Sequence, residues 1–164
     1  MKMKLKMKMR MKRNFIIMKI KEKRERIISK VNISEAFTSD EKEWIKNSLY
    51  IFSEMVDKFH IKDDYIYKNI YLIKYPIKDA YGMVQPLIEG RTEILSYRIY
   101  ISDKYKFNEP ELMSIFLHEM IHTIAKQDIL RHNSITFRRA YKYILDRYCL
   151  NILDIGIKEV DKHE

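Results

Sequence analysis

A chain of 164 residues, 46% of them hydrophobic and with only three glycines and three prolines, suits one globular unit and excludes a low-complexity scaffold. Its single cysteine, Cys149, excludes an internal disulfide framework and a four-cysteine zinc ribbon. The formal charge of +9 is uneven: residues 1–30 carry 13 Lys/Arg against two Glu, and residues 31–164 carry 19 Lys/Arg against 21 Asp/Glu. The basicity therefore belongs to an N-terminal arm, 1–30, ahead of a nearly neutral domain, 31–164. No apolar run approaches the ~20 residues that span a bilayer. Residues 15–18 are too short for the hydrophobic region of a secretory signal. These features lead us to expect an intracellular protein with no membrane contact, cytoplasmic or, in a eukaryotic host, nuclear.

In the arm, Met and Lys or Arg alternate almost without interruption from Met1 to Lys12. Such charge density predicts disorder. Two readings of the arm stand together: a counterion-releasing contact with DNA or another anionic surface, and a translation start that falls later, at Met11 or Met18. Thr38 and Glu41 have capping-box spacing ahead of a helix over residues 39–60. Ile45, Leu49, Phe52, Met55, Val56 and Phe59 recur there at helical intervals. Residues 66–75, rich in Ile and Tyr and ending at Pro76, read as a strand. Pro76, Gly82, Pro86 and Gly90 mark turns over residues 76–91, around a short strand near Met83 and Val84. Residues 94–101 read as the next strand, with Tyr97, Ile99 and Ile101 alternating against Arg98 and Tyr100.

Asn108, Pro110 and Glu111 then open a helix ending near residue 127. A last helix, residues 134–148, places Phe137, Ala140, Tyr141, Ile144, Leu145 and Tyr148 on one face, to pack against the preceding helix. The mixture of helices and a short sheet is an α+β pattern.

The helix that starts at Asn108 carries His118, Glu119 and His122, spelling H-E-x-x-H. Residues four apart share a helix face, so both imidazoles can reach one metal ion. That is the arrangement of a zinc hydrolase: two neutral nitrogens for Zn²⁺ and, from Glu119 facing solvent, a carboxylate to take a proton from an activated water. A catalytic zinc needs three protein ligands and an open position. His132 is the best third ligand. Asp128 competes, although the extended motif that uses this position also needs glycine where this chain has Ala125. Tyr97, Arg138 and Tyr141 remain open as oxyanion stabilisers. The strand over residues 94–101 could align an extended substrate by edge pairing.

Two other classes stand beside the zinc hydrolase. One is a nucleic-acid-binding protein working through its basic arm. The other is a closed structural zinc site of three histidines plus Cys149, itself more simply a buried helical residue.

The chain resembles the SprT-like family of zinc metallopeptidases, which includes the Spartan proteases acting on proteins crosslinked to DNA. The likeness covers about residues 35–150. It rests on Ala80-Tyr81-Gly82, Arg98-Ile99-Tyr100-Ile101-Ser102, His118-Glu119-Met120-Ile121-His122, and His132 followed by Phe137. It implies a small zincin-like domain in which a short sheet packs on the active-site helix. It also implies zinc held by His118, His122 and His132, Glu119 as the catalytic base, and a protein substrate, DNA-associated proteins among the candidates. Two features depart from the family. Asn133 stands where glycine often follows the third histidine, with Phe137 one position later than usual. The cysteine-rich ribbon of many bacterial members does not appear.

Overall fold

A computed structural model describes residues 2–61, 69–89, 93–124, 135–150 and 152. Among them, four helices and four strands run in the order α1 (Lys2–Ser29), β1 (Val31–Ile33), α2 (Ser39–Lys58), β2 (Asn69–Tyr75), β3 (Gly82–Glu89), β4 (Glu93–Ser102), α3 (Glu109–Ile124) and α4 (Ile135–Tyr148). The protein is a mixed α+β fold. No helix among the described residues is long and apolar enough to cross a membrane.

The strands form one sheet in the order β1-β2-β4-β3, with β1, β2 and β4 parallel and β3 antiparallel to β4. Period-two alternation gives the sheet two different faces. Ile70, Leu72, Val84, Tyr97, Ile99 and Ile101 are buried on the inner face, whereas Tyr71, Tyr75 and Met83 are exposed on the other. Helix α3 packs against β3, β4, α2 and α4. Leu112, Ile115, Phe116, Leu117, Met120 and Ile121 are all buried, the all-round apolar character of a helix inside a core.

Both capping boxes form. Thr38 Oγ1 accepts from the Glu41 amide at 3.2 Å while Glu41 Oε1 accepts from the Thr38 amide at 2.9 Å. Asn108 Oδ1 likewise accepts from the Glu111 amide at 3.0 Å, and Glu111 Oε1 accepts in return at 3.3 Å. Each box satisfies two amides that helical geometry leaves open.

Three expectations are corrected. The arm, expected to be disordered, is helix α1: Met, Lys, Arg, Leu and Glu are strong helix formers, and no Gly or Pro interrupts them. Its end packs on the rest of the chain: Ile27 is 1% exposed within the core and the Arg24 guanidinium lies 4.9 Å from the Tyr50 ring centre. The turn region around Met83 is the eight-residue strand β3, which tolerates Pro86 because it lies at the edge of the sheet. Finally, β4 is paired on both sides from Ser96 to Ile101, so these residues offer no free edge to a substrate. The three-residue β1 had no sequence signal of its own.

Candidate metal centre

His118 and His122 sit one turn apart on α3, and their Nε2 atoms are 3.2 Å apart. Two nitrogens bound at ~2.0–2.1 Å to one tetrahedral zinc stand about 3.3 Å from each other. The pair thus has the separation that a shared zinc requires. Phe137, fully buried in the first turn of α4, touches both rings, with centroids 5.1 Å from His118 and 5.0 Å from His122.

The other nitrogen of His118 is also committed. Its Nδ1 lies 2.7 Å from the carbonyl oxygen of Ile152. A carbonyl can only accept, so Nδ1 carries the proton and a neutral ring keeps its lone pair on Nε2. This is how outer partners orient metal-binding imidazoles. A backbone carbonyl far along the chain leaves no trace in sequence, and no spacing rule points to Ile152.

Glu119 differs from expectation. Its carboxylate was expected to face solvent, yet the residue is 7% exposed. The start of β3 covers it: a Cβ at Gly82 would stand 2.9 Å from Ile115 Cγ2, 3.1 Å from Glu119 Cγ and 3.2 Å from Glu119 Oε1. Only glycine lets the strand come so close without displacement. Burial pushes the Glu119 carboxyl up to about 8, which brings its proton affinity into the range where a general base works well at neutral pH. The approach of β3 is fixed by Tyr81, which packs edge-on against Tyr105 and Phe107 with centroids at 4.8 and 5.4 Å. The Tyr81 carbonyl accepts from the Ser102 amide at 2.8 Å.

His132 and Asp128 lie outside the described residues. Among the described residues, no three His, Cys, Asp or Glu side chains converge. Cys149 therefore does not join His118 and His122. It is exposed just beyond α4 rather than buried within it, because the helix stops one residue earlier. The Tyr97 hydroxyl donates to the Thr123 carbonyl at 3.1 Å, tying β4 to the end of α3. Arg138 is exposed and Tyr141 half-buried.

No family model matches the chain, and neither a curated protein nor a solved structure matches it.

Proposed function

We propose that this protein is a zinc-dependent metalloendopeptidase with a zincin-like domain of the SprT-like kind. The observation that carries the reading is the His118–His122 pair, its Nε2 atoms 3.2 Å apart, beside a buried Glu119. His118, His122 and His132 would hold the metal. A zinc ion held there would supply Lewis acidity toward water and a peptide carbonyl.

The remaining work falls to the chain itself. Glu119 accepts a proton from the attacking water and returns it to the leaving amine, the task its raised proton affinity suits. Among the described residues, strand β3 has no partner on its outer edge, and it begins over Glu119. An extended substrate pairing with that edge would run past the base. Phe137 excludes water from the side of the histidine rings facing α4.

The decisive comparison is wild type against Glu119→Gln. Both should carry about one zinc per chain, and only wild type should cleave an unfolded protein. Equal cleavage by both proteins removes Glu119 from the mechanism.

A second reading concerns the partner of α1. Lys2 to Arg13 include seven Lys/Arg and no acid, on a helix whose Met3, Leu5, Met7, Met9 and Met11 are exposed. Strict alternation sends charge to every side of a helix with 3.6 residues per turn, so no apolar face exists to lie in a membrane interface. The phosphate backbone of a nucleic acid fits such a charge distribution. DNA-associated proteins then become the natural substrates, and an intracellular compartment suits the exposed Cys149 thiol.

A further inference from the structure

The chain beyond α4 returns to the metal-binding face of α3. The Cys149 amide closes the last helical turn on the Leu145 carbonyl at 3.0 Å, and Cys149 then adopts a left-handed backbone with φ 56. Few residues other than glycine take this conformation without strain. The turn redirects the chain inward: Leu150 packs against the core and Ile152 is 0% exposed. The Ile152 carbonyl meets His118 Nδ1 at 2.7 Å. Helix α4 and the segment after it therefore hold the histidine pair at two points, Phe137 against both rings and Ile152 on the ring nitrogen of His118.

We propose that the Cys149 turn and the anchored Ile152 form a clasp that positions His118 for the metal. The left-handed turn aims the chain, and burial of the Ile152 side chain fixes its carbonyl. The carbonyl holds the proton on Nδ1 and sets the plane of the ring. The Nε2 lone pair of His118 then points toward the cation shared with His122. Ile152 is a positioning residue, contacting the ligand and not the metal, and the metal role of the clasp rests on the zinc reading of the site. Without the clasp, the imidazole can exchange tautomers and rotate, and loss of such an outer partner lowers metal affinity ~10–100-fold.

The test uses the full chain and two substitutions at exposed Cys149. Cys149→Gly accepts the left-handed turn, whereas Cys149→Pro cannot, because its ring fixes φ near −65° and removes the amide donor. Nitrogen-15 NMR of the metal-free protein reports the His118 tautomer, and chelator competition reports zinc affinity. Wild type and Cys149→Gly should show His118 protonated on Nδ1 and bind zinc equally. Cys149→Pro should lose that tautomer preference and bind zinc ~10–100-fold more weakly while still unfolding cooperatively. If it does not fold, Ile152→Ala takes its place with the same expected losses.

Wild-type tautomer and affinity in the folded Pro or Ala variant overturn the clasp. So does a metal-free wild type with His118 protonated on Nε2. A wild type with the Nδ1 tautomer that takes up no zinc overturns the peptidase reading instead, and with it the clasp's metal role, leaving only the hydrogen bond.

Discussion

Gly82 of β3 and Glu119 of α3 are in direct contact, so that a single methyl group at position 82 would stand 3.2 Å from the carboxylate oxygen Oε1. The same methyl would stand 2.9 Å from Ile115 Cγ2, closer than carbon atoms tolerate. Something must move: the strand edge, the Ile115 side chain or the base.

Gly82→Ala should therefore keep its zinc while losing activity. Overpacking of this kind costs ~1–3 kcal/mol of stability, and displacing a reacting group by about 1 Å can cost ~100-fold in rate. Denaturant unfolding, zinc content and peptide turnover measured on one preparation separate the effects. Undiminished turnover would show that this contact does not set the position of the carboxylate.

The third ligand separates two substitutions. His132→Ala should weaken zinc binding by at least the ~100-fold that loss of an outer partner can cost, and Asp128→Ala should leave it unchanged. The reverse ranking in a chelator titration would transfer the ligand role to Asp128.

The capping box and the motif helix were legible because each depends on neighbours in sequence. Thr38 with Glu41, Asn108 with Glu111, and His118 with His122 are separated by about one helical turn. The arm was misjudged for a related reason: its charge argues for exposure, and exposure does not forbid a helix of Met and Lys. The sheet was less legible, because pairing is non-local. Nothing in residues 94–101 reveals that β2 occupies one side of β4 and β3 the other, and Pro86 reads as a turn until β3 is known to lie at an edge. The Ile152 carbonyl was out of reach altogether, since every residue has one.

Acid should selectively weaken the junction of α2 with β2. Burial raises the Glu41 pKa, but the Lys74 ammonium at 2.7 Å and the Thr38 amide outweigh it, so the net value lies below the ordinary 4.5. A carboxylate with a depressed folded-state pKa stabilises the fold above its unfolded pKa. That contribution is lost as pH falls from about 4.5 through the folded value. Glu41→Gln should thus be less stable than wild type at pH 7 by up to about 1 kcal/mol, the loss of its ion pair with Lys74, and the gap should close in strong acid. A gap independent of pH in denaturant titrations would assign the effect to the cap's geometry instead of its charge.

Removing residues 1–15, ahead of the buried end of α1, should abolish binding to nonspecific duplex DNA and leave zinc content and the cleavage of a short peptide intact. In wild type, seven cations from Lys2 to Arg13 set an upper slope of about −6 for log affinity against log salt. A slope near zero would reject the electrostatic role of the helix.

The strand order also dictates when the pieces of this protein can come together. Among the described strands, only β3 and β4 are consecutive antiparallel partners, a hairpin able to form within ~1–10 μs. Val31 must find Ile70 and Asn69 must find Ser96 across long stretches of chain, and such closures are slow. The parallel pairing of β2 with β4 should therefore limit the refolding rate. Among the described strands β1 pairs with β2 alone and can join the sheet only once β2 is in place, so its substitutions should speed unfolding and leave refolding almost unchanged, which a chevron plot for Val31→Ala would display.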